Sequence, residues 1–159
     1  MNVCIAVISS RNSPLYLKAT KSSNLLSYHF RVYGALDVID EKTGIISTKS
    51  AFPDKDSSNR YLGLLYPIDD HYVYGYVTNT NVKFILVQEV HSTAVDAAGP
   101  NAGVQLDSKV RKTFQALHDA YVRLLSSPFY VSNTPINPSD SASAKRFEEV
   151  VDSLLEYPK

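Results

Sequence analysis

Apolar residues fall along the chain in runs of two kinds, and the two kinds predict different elements. Val3 to Ile8 and Phe84 to Val87 are apolar without alternation. Runs this short, bounded by polar residues, predict strands buried on both faces. Leu15 to Ala19 predicts a second strand, opened by Ser13-Pro14 and joined to the first by the turn-forming residues Ser9 to Ser13. Three further strands are expected over Tyr61 to Tyr66, His71 to Thr78 and Val82 to Glu89, with tight turns at Pro67 to Asp70 and Asn79 to Asn81. Together these three make an antiparallel meander.

Helical spacing marks the rest. Leu25, His29, Val32, Leu36 and Ile39 predict a first helix, with Ser22, Ser23 or Asn24 as its cap. Val110, Phe114, Leu117, Tyr121 and Leu124 predict a second, capped by Asp107 or Ser108 and stopped by Ser126-Ser127-Pro128. Phe147, Val150, Val151, Leu154 and Leu155 predict a third, with Asp140 or Ser141 as cap and Pro158 as its limit. Residues 40 to 60 and 92 to 103 carry Gly, Pro, Ser and charge without a sustained period, and are expected to be long surface loops.

The order strand, strand, helix, strand, strand, strand, helix, helix predicts an α/β (α+β) fold. The two most apolar strands need cover on both faces. The simplest solution is a five-stranded antiparallel sheet between one helix on one face and two helices on the other. Strands one and five belong at its centre, and strands two and three at its edges. At 159 residues one domain over 1–159 is expected.

Within this frame Tyr72, Tyr74 and Tyr76 share one face of the fourth strand, and Val73, Gly75 and Val77 the other. With apolar neighbours on both sides, the tyrosines are expected to line the core beneath a helix, their hydroxyls reaching polar partners or the rim. Gly75 is expected to admit a covering helix at close range on the opposite face.

Charge removes one class of partner. Lys plus Arg equals Asp plus Glu, 16 of each, so no overall field attracts a polyanion, which argues against nucleic acid. The opening apolar run is too short for a secretory signal, and no stretch approaches the ~20 apolar residues of a membrane span. A cytosolic protein is expected, with any membrane association made through a partner. The single cysteine, Cys4, sits inside the first strand and reads as a buried hydrophobe.

Candidate chemistry is sparse. No glycine-rich phosphate loop occurs, and His29, His71, His91 and His118 are scattered over different elements, so neither cofactor nor metal is expected. Asp69-Asp70 reads as a solvated turn. Lys109, Arg111 and Lys112 read as a solvated helix face rather than an anion site. A site built from non-adjacent residues such as His71, Tyr72 and Lys83 stays open, and with it a small enzyme or ligand-binding domain. Asp37, placed near the end of the first helix, is either a solubilising residue or a recognition carboxylate kept against the helix dipole.

Several stretches in order resemble one family. VCIAVI at 3–8, PLY at 14–16, ALDVIDEK at 35–42, YLGLLYP at 61–67, VYGYVTNTNVKFILV at 73–87 and PFY at 128–130 are similar to the sedlin family of transport protein particle (TRAPP) subunits, in its subunit 2-like branch. The family's Asn-Pro-Phe-Tyr turn appears here as Ser127-Pro128-Phe129-Tyr130, and the two long loops depart from the family pattern.

The resemblance implies a longin-like (SNARE-like) fold and a non-catalytic adaptor of a complex that tethers vesicles and promotes nucleotide exchange on Rab GTPases. It implies contact with core and peripheral TRAPP subunits, an indirect relation to the Rab, and a cytoplasmic location against Golgi and ER–Golgi membranes. It also directs attention to the end of the first helix, where Tyr33, Leu36, Asp37 and Asp40 are the expected partner-binding residues.

Overall fold

In the computed structural model, residues 1–20, 25–48, 60–89 and 102–155 are described. Five strands, β1 (Asn2–Ile8), β2 (Pro14–Ala19), β3 (Tyr61–Ile68), β4 (His71–Val77) and β5 (Lys83–Glu89), form one antiparallel sheet in the order β2-β1-β5-β4-β3. Three helices, α1 (Leu25–Thr48), α2 (Ala102–Leu125) and α3 (Ala142–Leu154), complete the order of elements. This is the arrangement of a longin-like fold. The least polar strands, β1 and β5, are interior and β2 and β3 are the edges, as the apolar runs required.

All seven residues of β1 are buried, and so are six of the seven in β5. The strand period divides them between two cores. Ile5, Val7, Tyr74, Phe84 and Leu86 pack against Phe114, Leu117 and Tyr121 of α2 and Phe147 and Val151 of α3. Cys4, Ala6, Ile8, Val73, Ile85 and Val87 pack against Tyr28, Val32, Ala35, Leu36 and Ile39 of α1. A bulge between Asn2 and Cys4 turns Val3 to the α1 side along with Cys4. Burial pushes the Cys4 thiol up to about 12, which leaves it protonated and unreactive.

The helix boundaries differ from expectation in two places. The first helix does not end near Asp40 but continues to Thr48. Gly44 and the charges read locally as a loop, yet Thr43 Oγ1 donates to the Ile39 carbonyl at 2.8 Å, and Lys42 Nζ donates to the Leu64 carbonyl of β3 at 2.9 Å. Tertiary contact overrides the local propensity. Of the predicted stripe Val32, Leu36 and Ile39 are buried against the sheet, joined there by Tyr28 and Ala35, while His29 is half-buried and Leu25 is 41% exposed.

α2 starts at Ala102 rather than at a cap on Asp107 or Ser108. The Asp107 carboxylate instead accepts from the Tyr61 hydroxyl and from Arg111 Nε, both at 2.8 Å, which pins α2 to edge strand β3. The expected cap of α3 is present, with Ala144 N–H donating to Ser141 Oγ at 3.1 Å. The proposed caps Ser22, Ser23 and Asn24, most of each long loop, His91 and the stop at Pro158 lie outside the described residues.

The tyrosine ladder lines the core. Tyr74 is buried, and Tyr72 and Tyr76 pack against the α2/α3 core. Tyr76 stacks between Phe84 and Phe114, and its hydroxyl is hydrogen-bonded to His118 Nδ1 at 2.8 Å. Gly75 serves a different neighbour from the one expected. A Cβ there would meet Leu65 Cδ1 of β3 at 2.9 Å, so the missing side chain makes room for the adjacent strand and not for a helix. Gly75→Val should therefore lower unfolding stability by about 1–3 kcal/mol through overpacking. A Leu65→Ala change in the same chain should recover part of that loss in a denaturant titration.

Burial, with the charge of Arg60, lowers the pKa of His118; burial, with the charge of Arg31, lowers that of His71. The unfolded chain then takes up protons near the ordinary value of 6.5 before the folded chain does. The stabilisation is complete above that value and is lost as pH falls through the folded values. Unfolding free energy should fall as pH drops below about 6.5. A His71→Gln/His118→Gln chain should show a flatter profile over the same range.

Candidate functional site

α1 presents two stripes. One faces the sheet, and the other, Leu26, Phe30, Tyr33 and Asp37, repeats at intervals of four, three and four residues, which is a single helical face. Leu26 is 71% exposed, Phe30 72% and Tyr33 43%. Beside this stripe, where α1 meets edge strand β3, lies a groove of about 670 Å³. Leu26, Phe30, Val38, Tyr66 and Ile68 give it apolar walls, and Arg31 pairs with Asp69 at its rim at 3.6 Å.

Gly34 sets the width of the groove. A Cβ there would lie 3.3 Å from the Tyr66 hydroxyl, so its absence lets Tyr66 reach across and donate to the Arg31 carbonyl at 2.5 Å. Burial raises the pKa of that phenol and keeps it a donor. The groove thus has a fixed inner wall and an outer wall of apolar side chains in water. Several adjacent apolar side chains left exposed on an otherwise well-packed helix are the pattern of a docking surface.

The four residues expected to bind a partner are separated by the structure. Tyr33 and Asp37 lie on the exposed face. Asp37 forms no hydrogen bond or ion pair among the described residues. Because α1 runs on to Thr48, Asp37 is mid-helix and the dipole penalty expected of it does not arise. Leu36 is buried against the sheet. Asp40 pairs with Lys83 Nζ at 2.9 Å and accepts from Asn12 Nδ2 at 3.4 Å. Lys83 is almost wholly buried and also donates to Asn12 Oδ1. Asp40 therefore ties α1 to β5 and to the β1–β2 turn.

The other candidates do not assemble. His71 pairs with Glu89 in the sheet and Lys83 with Val77, at opposite ends of β4 and β5. Six residues of strand separate them, about 20 Å. Tyr72 faces the α2/α3 core while the His71 ring meets Tyr28 of α1. Arg111 is engaged by Asp107 and by the Tyr61 ring 4.5 Å away, leaving Lys109 and Lys112 on an exposed helix face. Asp69 sits in a left-handed turn conformation, as its turn reading required. Among the described residues no group of three or more His, Cys, Asp or Glu is placed to hold a metal ion, and no helix is long and apolar enough to cross a membrane.

Leu26 and Phe30 escaped the sequence reading although their signal was present. They are apolar residues at helical spacing off the sheet-facing stripe, and such a second stripe on one helix marks a candidate contact surface.

The family model described as Sedlin matches residues 7–155. The trafficking protein particle complex subunit 2-like protein of Rattus norvegicus is 38% identical over 98% of this chain and 97% of its own length. That of Dictyostelium discoideum is 34% identical, over 96% and 95%. The transport protein particle 20 kDa subunit of Schizosaccharomyces pombe is 26% identical, over 86% and 88%. A family match over almost the whole chain, and relatives of this identity at nearly full length on both sides, place the chain in the sedlin family.

Proposed function

We propose that the chain, one longin-like domain over 1–159, is a non-catalytic adaptor subunit of a TRAPP-type complex. In this reading the complex tethers vesicles and promotes nucleotide exchange on a Rab GTPase in ER–Golgi and Golgi traffic. The chain itself is cytoplasmic, binds other core and peripheral TRAPP subunits, and meets the membrane and the Rab only through them. The observation that carries the reading is the exposed apolar stripe Leu26, Phe30 and Tyr33 beside the α1/β3 groove, on a chain whose relatives are named as subunits of such complexes. A subunit needs apolar surface that its own fold does not cover, and the aromatic residues of such a surface carry most of the binding free energy.

Asp37 is the specificity element of this surface. It stands one turn beyond Tyr33 on the same face, and among the described residues its charge meets no partner. Within a mostly apolar contact, a lone carboxylate favours a subunit that offers a cation and disfavours one that offers an acid.

Affinity purification of the tagged chain should recover other TRAPP subunits in near-stoichiometric amounts; their absence would sink the reading. Asp37→Tyr and Leu26→Ser/Phe30→Ser should each reduce that recovery about tenfold or more, equivalent to about 1.4 kcal/mol, with melting temperature little changed. Full recovery with a folded variant would remove α1 from the interface. Asp40→Ala should do the reverse. Leaving Lys83 buried without its carboxylate should cost about 1–3 kcal/mol of stability, read as a lower melting temperature, with the same partners retained.

A further inference from the structure

On the opposite side of the sheet from α1, helices α2 and α3 enclose a second groove of about 410 Å³. Its floor is apolar, made by Ala120 and Leu124 of α2 and Phe147 and Val150 of α3. Arg123 and Arg146 line it, one from each helix. Neither guanidinium forms an ion pair or hydrogen bond among the described residues, whereas Arg31, Lys18, Lys83 and Arg111 are all matched to carboxylates. Asp119 also lines the groove but is within ion-pair distance of neither arginine.

The turn at one end of the groove also carries exposed apolar residues. Ser143, in the first turn of α3, donates to Ser127 Oγ at 3.0 Å, which fixes the turn following α2 at that end of the groove. The turn is braced further along by the Tyr130 hydroxyl on the Thr134 carbonyl at 2.7 Å. It nonetheless holds Phe129 out at 84% exposure and Val131 at 69%. A braced turn that presents a bare phenylalanine is a preorganised anchor, since little further ordering is needed when it is covered.

The geometry points to a second docking surface on the α2/α3 groove for a protein partner whose docking segment is amphipathic and acidic. Its apolar side chains fill the floor over Leu124 and Phe147 and cover Phe129, and its carboxylates meet Arg123 and Arg146. Guanidinium forks suit carboxylates bidentately. An anionic membrane fits less well, because surface attraction of that kind draws on clusters of 4–8 basic residues, roughly, while this groove holds two arginines and an aspartate. Its concave floor also suits inserted side chains rather than a flat lipid surface. The inference rests on the adaptor reading and extends it: α1 and the α2/α3 groove lie on opposite layers, so two subunits can be held at once.

The test is affinity purification of the full chain as wild type, Asp37→Tyr and Arg123→Glu/Arg146→Glu, with co-purifying subunits quantified by mass spectrometry. The double variant should melt as the wild type does and lose at least tenfold of one subunit that Asp37→Tyr retains. Acid-to-lysine changes in that subunit's docking segment should restore it. Unchanged subunit recovery with the double variant overturns the groove inference alone. Failure of the wild type to recover any TRAPP subunit overturns the adaptor reading and the groove with it. Phosphatidylcholine vesicles containing phosphatidylserine form the third arm. Wild-type binding that is lost in the double variant, with subunit recovery intact, would assign the groove to lipid and overturn the protein partner.

Discussion

β1 is buried at every position, and most of the architecture follows from that constraint. A strand with apolar residues on both faces needs a layer above and a layer below, and it cannot stand at an edge where unpaired backbone groups meet water. β5, nearly as apolar, is subject to the same demand and lies next to it. Two such strands side by side leave the more polar β2 and β3 to close the sheet. They also oblige the chain to cross from β2 to the far edge, which α1 does while covering one face. Most of the polar groups admitted to this centre are matched, although Gln88 Oε1 in β5 has no hydrogen-bond partner among the described residues. Asn2 donates to the Leu154 carbonyl and accepts from Gln88, and Lys83 is held by Asp40 and Asn12.

The two faces meet the demand for cover differently, and the difference creates the candidate surfaces. α2 and α3 pack on each other as well as on the sheet, so the furrow between them is the open feature of that side. α1 has no neighbouring helix among the described residues, and its outer face has no internal use for Leu26, Phe30 or Tyr33. Apolar residues at those positions lower solubility in isolation. Their presence is intelligible when another surface covers them.

The sequence was most informative where an element's identity depends on its own residues. Uninterrupted apolar runs identified β1 and β5, and the step from Val110 to Leu124 identified the buried face of α2. It was least informative where a distant residue decides. The extension of α1 to Thr48 depends on Lys42 meeting the β3 backbone, and local composition, with Gly44 and mixed charge, argues for a loop. Gly75 was recognised as a site of close approach, but which neighbour approaches depends on strand register, and Leu65 sits there because of bulges in β3. In the candidate site, the family resemblance pointed to the end of the first helix as a whole and so joined Leu36 and Asp40 to Tyr33 and Asp37. Helical geometry alone turns Leu36 toward the sheet. The role of Asp40 depends on Lys83, a residue of another element with no local signature.

If α1 is the docking surface proposed above, edge strand β3 favours recognition there by side chains rather than by the backbone. A regular edge strand is a template for an incoming strand. This one carries register shifts at Tyr61/Gly63 and Leu64/Tyr66, a left-handed Gly63 and, at Pro67, a residue with no N–H to donate. Lys42 further occupies the Leu62 and Leu64 carbonyls, at 3.4 and 2.9 Å. An added strand would have to displace that ammonium and accommodate two irregularities in pairing before gaining a ladder of hydrogen bonds. The apolar wall of Tyr66 and Ile68 beside Phe30 asks for no such rearrangement. The features that protect this edge from indiscriminate pairing therefore also leave the α1/β3 groove as the route of lower cost for a specific partner.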